Sequence, residues 1–172
     1  MVNQETIRDV LHTIDDPEMP ISIVDLGLVE SITVEPGEPA RVRIDLLPTF
    51  VGCHALPAIE AEVRRRVGAL PGVGAIAVRF RFDPPWTVDR ISAAGRERLR
   101  ATGITVPGQE DAAAAAEAAP RCPFCGSADV HQENAFGPTR CRMIYYCGAC
   151  RNPFEHLKRV GGRRPLLVLP SP

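Results

Sequence analysis

Apolar residues recur along the chain with two periods. In "NQETIRDVLHTI", Ile7, Val10, Leu11 and Ile14 fall at helical spacing behind Asn3, a capping residue, and predict an amphipathic helix that "DDPEMP" ends. "LVESITV" and "RVRIDLL" then alternate. Val42, Ile44 and Leu46 face one way, Arg41, Arg43 and Asp45 the other, and "EPGEPA" between the two runs is the turn of a hairpin. From His54 to Leu70 the helical period returns at Leu56, Ile59, Val63 and Val67, with Glu60, Glu62, Arg64 and Arg65 on the outer face and "PGVG" as the stop. "AIAVRFRF" is another strand, with Ile76, Val78, Phe80 and Phe82 inward, and "SAAGRERLRATG" is a short last helix. The order helix, two strands, helix, strand, helix predicts an α+β domain, a small mixed sheet with helices on one face.

The pattern stops at residue 104. "TVPGQEDAAAAAEAAP" has no large apolar side chain after Val106 and is bounded by prolines, so residues 105–120 read as an Ala/Pro-rich linker between a first domain, 1–104, and a cysteine-rich module, 121–160. Residues 161–172 form a tail whose apolar run between prolines reads as a segment lying on a neighbouring surface or frayed.

Five of the six cysteines lie in "RCPFCGSADVHQENAFGPTRCRMIYYCGACRNPF". Cys122 and Cys125, and again Cys147 and Cys150, are spaced so that each pair turns two thiolates toward one cation from a tight knuckle, and Gly126 and Gly148 suit those turns. Two knuckles make a tetrahedral site for zinc, with iron as the alternative because "CPxCG" and "CGxC" knuckles also resemble rubredoxin. The metal supplies folding energy that a module of about 30 residues lacks. Two disulfides are the competing arrangement and need an oxidising compartment. The N-terminal segment lacks the basic and apolar pattern of an export signal, which favours metal and a cytoplasmic location, and no stretch has the apolar length of a membrane span.

Charge refines this picture. Residues 1–120 carry 12 basic and 18 acidic side chains, whereas 121–172 carry 8 basic and 3 acidic. Four thiolates on a divalent ion cancel part of the module's excess, leaving a modest positive surface rather than a phosphate-tracking stripe, so nucleic acid is not an expected partner.

Cys53 stands apart, after Gly52 and at the start of the second helix, where free amides and the helix dipole stabilise an anion, with Pro57 in the first turn. A thiol there is expected to ionise easily and react with metals and electrophiles; the alternative is a small residue filling the junction of sheet and helix. Asp16 and Glu18 flank Pro17 as either oxygen ligands or solvated turn residues. Trp86 in "DPPWT" is either a docking surface or a lid over the core. Tyr145 and Tyr146 are expected to pack the module's small core, and His131 and His156 to stay outside a complete thiolate shell. Cys141 is then a spare thiol: a packed residue of the ribbon, or one that exchanges with the metal shell or with Cys53.

"DDPEMPISIVDLGLV", "LLPTFVGCHAL", "LPGVGAIAVRF" and "DPPWTVDRISAAGRERLRATGI" resemble, in order and spacing, the small domain of iron–sulfur assembly factors of the SufT type. With "CPFCGSADV", "FGPTRCRMIYYCGAC" and "PFEHLK", residues 5 to 158 resemble the PaaD family, accessory proteins of the bacterial phenylacetyl-CoA epoxidase system. The resemblance implies a role in maturing the epoxidase, through its di-iron oxygenase subunit or its ferredoxin-type reductase. It also implies that Cys53 is the reactive thiol, a point of iron or cluster transfer, with Asp16 and Glu18 in the family's acidic segment. One departure is visible: the family usually has proline directly after that cysteine, and here His54 takes the place.

Three function classes follow. The favoured one is a maturation factor that holds or passes iron or an iron–sulfur cluster through Cys53. The second is a zinc-ribbon adaptor that bridges protein partners without metal transfer. A cysteine-nucleophile enzyme is disfavoured, because the sequence places no oriented histidine beside Cys53.

Overall fold

A computed structural model describes residues 2–108 and 119–159 of the chain. Most of the expected linker and all of the expected tail lie outside the described residues. Helix α1 (Gln4–His12) starts behind Asn3, whose Oδ1 accepts the Thr6 amide at 2.8 Å, a cap worth about 1 kcal/mol. The helix buries Ile7 and Leu11. The "DDPEMP" stop is itself a hairpin of two short strands, β1 (Asp15–Asp16) and β2 (Met19–Ser22). Its strands are too short to register as an alternating pattern.

The mixed sheet has the order β3-β4-β5. Strands β3 (Val29–Glu35) and β4 (Ala40–Leu46) form the expected antiparallel hairpin, and β5 (Val73–Phe80) runs parallel to β4, with Ile44 opposite Val78 and Leu46 opposite Phe80. Parallel neighbours need a crossover. Helix α2 (Leu56–Gly68) supplies it, burying Ile59, Val63 and Val67 in the same core as Ile7, Leu11, Val42, Ile44 and Leu46. The loop between β4 and α2, which holds Cys53, therefore sits at the carboxyl end of the sheet's central strand, where ligands of parallel sheets gather.

Two aromatic positions resolve differently. Phe82, expected inward, lies beyond the end of β5 and is 49% exposed. Trp86 is the lid: it is 2% exposed and its Nε1–H donates to the Leu26 carbonyl at 2.9 Å.

Helix α3 (Ala93–Ala101), capped by Ser92, packs on β2 and β6 (Ile104–Thr105) rather than on the mixed sheet. Strand β6 then joins the ribbon. The ribbon strands β7 (Val130–Asn134), β8 (Arg142–Cys147) and β9 (Pro153–Leu157) are antiparallel, and β6 adds in parallel to β9, giving the order β6-β9-β8-β7. The Glu155 amide donates to the Gly103 carbonyl at 3.0 Å, and the Thr105 hydroxyl pairs with His156 Nδ1 at 2.8 Å. Ile104, Cys141 and Leu157 belong to the main core. The ribbon also keeps a small cluster of its own, Cys122, Cys147 and Phe154, with Tyr145 stacked on Phe154 at 5.7 Å between ring centres. Tyr146 stands instead beside His131.

Candidate functional site

The four knuckle cysteines converge. The ligand sulfurs of Cys122, Cys125, Cys147 and Cys150 all lie within 4.8 Å of one another, and the pairs Cys122–Cys150 and Cys125–Cys147 are 3.6 Å apart. A tetrahedron of thiolates about 2.3 Å from a metal has edges of roughly 3.8 Å, so the set fits a four-thiolate centre. A disulfide needs about 2.05 Å, and all six cysteines are free. Gly126, at φ 74°, gives the first knuckle a backbone that side-chain-bearing residues rarely adopt. Asn152, through its side-chain and backbone N–H groups, lowers the pKa of the Cys150 thiol, while Cys125 in the same cluster is shifted upward, so the set shares its protons until a cation replaces them. His131 pairs with Glu133 and His156 with Thr105, so neither joins the centre.

Cys53 is placed differently from expectation. Helix α2 begins at Leu56 with Ala55 as its cap, so Cys53 precedes the helix instead of opening it. The Leu56 amide is directed at the Cys53 carbonyl at 3.4 Å, and the Ala55 amide is the one backbone group that favours the thiolate. Gly52, at φ 82°, forms the turn that precedes it. Burial pushes the thiol above its ordinary value and the Glu18 and Asp16 carboxylates add to that, against the opposing Ala55 amide. The expected ease of ionisation is therefore reversed: one amide does not outweigh desolvation beside two acids.

The two acids differ in role. Asp16 is buried, and its Oδ1 accepts the Glu18 and Met19 amides at 2.8 and 3.0 Å, which ties the β1–β2 turn. Burial raises its pKa, while the two amides and Arg142 pull it down. Glu18 is half-buried and lines a cavity of about 220 Å³ together with Cys53, His54, Thr139, Arg140 and Cys141. Phe50 and Phe136 line its mouth, each beside a cation: Arg140 lies 6.0 Å from the Phe50 ring centre, and Lys158 Nζ lies 4.2 Å from that of Phe136.

The ribbon thus supplies half of the wall around Cys53. The segment Phe136–Cys141 has no periodic signal, and nothing along the chain announces that it faces a loop of the first domain. Arg142, beside the cavity-lining Cys141 in sequence, is equally unannounced: it is buried, pairs with Glu155 at 2.6 Å and lowers the pKa of Asp16. Among the described residues no helix is long and apolar enough to cross a membrane.

Comparison with known proteins matches two separate stretches of the chain. Residues 4–78 match the family described as iron-sulfur cluster assembly protein, and residues 106–158 match the PaaD zinc beta ribbon domain. A protein of Escherichia coli (strain K12), provisionally named as one of the subunits of 1,2-phenylacetyl-CoA epoxidase, is 35% identical over 152 residues, covering 88% of this chain and 90% of that one. The Fe-S protein maturation auxiliary factor YitW of Bacillus subtilis (strain 168) is 35% identical over 89 residues, 52% of this chain and 85% of that one. The crystal structure of a domain of unknown function from Bacillus anthracis superposes with a TM-score of 0.50 at 28% identity, covering 56% of this chain and 90% of that one. With an assembly domain and a ribbon matched on one chain, and a relative aligned along nearly all of it, the protein belongs to the PaaD family within the iron–sulfur assembly and maturation factors.

Proposed function

We propose that this protein matures the phenylacetyl-CoA epoxidase complex, holding or passing iron or an iron–sulfur cluster through Cys53 to the di-iron oxygenase subunit or the ferredoxin-type reductase. The ribbon holds zinc as a structural ion, with iron as the alternative occupant, and the protein acts in the cytoplasm. The observation that carries this reading is the half-buried Cys53 thiol, set with Glu18 in a cavity at the carboxyl end of a parallel strand. A soft sulfur and a hard oxygen in one recess suit a borderline cation such as ferrous iron.

Catalysis by a cysteine nucleophile fits less well. His12, His131 and His156 bond to Ser22, Glu133 and Thr105, and His54 is exposed, with no carboxylate among the described residues bonded to its ring. The adaptor reading draws on exposed Val51 and Phe136, which give the region around the cavity an apolar surface for a partner. Epoxidase assembled in cells lacking this protein is expected to be inactive and poor in iron. Adding the purified protein to already matured complex is expected to leave turnover unchanged. A saturable rise in that turnover would make it a working component of the enzyme instead.

A further inference from the structure

The cavity at Cys53 opens between two unlike walls. One holds Glu18 and the loop that carries Phe50 and Cys53; the other is the ribbon segment from Phe136 to Cys141. Phe136 is 64% exposed, and Val51, next to Phe50 on the facing loop, is 67% exposed. With half-buried Phe50 they gather apolar surface at one spot.

The ribbon wall is also positive. Arg140 lies 6.0 Å from the Phe50 ring centre and Lys158 Nζ 4.2 Å from that of Phe136. Neither side chain makes an ion pair or a hydrogen bond among the described residues, whereas nearby Arg142 pairs with Glu155 at 2.6 Å. The turn that presents these groups is held from within. The Phe136 amide donates to Asn134 Oδ1 at 2.9 Å, the Gly137 amide to the Arg142 carbonyl at 2.9 Å, and Arg142 Nε to Thr139 Oγ1 at 2.8 Å. Exposed groups on a turn fixed in this way lose little freedom when a partner covers them.

We propose that the ribbon wall is the client-recognition surface of the Cys53 site, and that it takes an acidic protein segment carrying an apolar side chain. Carboxylates of that segment meet Arg140 and Lys158, and its apolar group meets Phe50 and Phe136. The inference rests on the maturation reading and deepens it: the assembly domain presents the thiol, and the ribbon selects the protein brought to it. Glu18, on the opposite wall, repels an acid and so fixes which way the segment lies. Single-stranded nucleic acid also seeks aromatic rings beside cations, but two cations facing a carboxylate make no groove that follows a phosphate backbone.

The test uses full-length, zinc-loaded protein and, as probe, metal-poor epoxidase complex purified from cells that lack it. Association and dissociation rates are measured by surface plasmon resonance at low and high salt. Arg140→Glu and Lys158→Glu should each slow association, and together they should weaken binding by at least about tenfold. Phe136→Ser should speed dissociation, with Phe136→Trp restoring the slow rate. Arg41→Glu, which reverses an exposed charge at the other end of β4, should change neither rate, and Cys53→Ala should still bind. Salt should slow association of the wild type, and bound epoxidase should shield Cys53 from iodoacetamide. Should a charge variant lose the ribbon zinc, these last two measurements on the wild type decide. Unchanged binding by the zinc-loaded double charge variant overturns the proposal, as does association indifferent to salt or a bound complex in which Cys53 alkylates at its free rate. It is equally overturned if a thymidine oligonucleotide binds the wild type and the epoxidase does not. In each of these cases the maturation reading is judged separately, by the iron content of epoxidase from Cys53→Ala cells.

Discussion

Cys53, on the loop after β4, and Cys141, on the turn into β8, line the same cavity although they belong to different domains. The contact exists because β6 carries the first domain's chain into the ribbon sheet, where Thr105 meets His156. Any change that frees β6 from β9 should therefore disturb the Cys53 cavity without touching either sulfur.

The ribbon centre should be separable from that cavity. One equivalent of zinc is expected to copurify and to be lost in the Cys122→Ser, Cys147→Ser double variant, while Cys141→Ser keeps it. Metal analysis checks this, and a visible thiolate-to-iron band would identify iron in place of zinc.

His156 makes the domain contact sensitive to acid. Burial first, and Arg159 second, lower its pKa from 6.5 to about 4, so the fold favours the neutral ring. Its contribution to stability is complete above about 6.5 and is lost as pH falls toward about 4, because the unfolded chain takes up the proton first. Protection of the Ile104 and Thr105 amides against hydrogen exchange, after correction for the pH dependence of intrinsic exchange, should fall across that window, and His156→Gln should flatten the dependence.

Trp86→Phe should preserve most of the lid's area but leave the Leu26 carbonyl without its donor. A buried acceptor abandoned in this way costs about 1–3 kcal/mol. Urea unfolding is expected to show an unfolding free energy lower by that amount, seen as a lower midpoint with an unchanged slope.

How much of this was legible depended on the range of the signal. Helix α1 was readable because Asn3, Ile7 and Leu11 state the cap and the buried stripe locally, and the β3–β4 hairpin because Val42, Ile44 and Leu46 alternate. The four ligands were readable from the spacing within each knuckle. Phe82 misled because alternation continues in the sequence past the end of β5, where no neighbouring strand remains to pair. The position of Cys141 was not readable at all, since it depends on the two-residue strand β6 and on Arg142 finding Glu155, contacts that no periodicity encodes.

Cys53 should be a guarded thiol. Burial and the nearby carboxylates raise its pKa above the ordinary 9.0, so folding favours the neutral form, and that contribution is present below about 9 and lost as pH rises through the folded value. Alkylation by iodoacetamide should be slower in the folded, zinc-loaded protein than in urea. Its rate should keep climbing beyond pH 9, and Cys53 should react faster than the more buried Cys141. Peptide mapping after timed alkylation measures each rate.

The central claim is that Cys53 acts on the epoxidase's metal, and one comparison tests it most directly. Epoxidase is purified from cells whose copy of this protein is wild type or Cys53→Ala, and its iron content and activity are measured alongside the ribbon zinc of the variant. The variant is expected to keep its fold and its zinc while the epoxidase loses iron and activity. An epoxidase with full iron and full activity in the Cys53→Ala cells would contradict the account and leave the protein an adaptor.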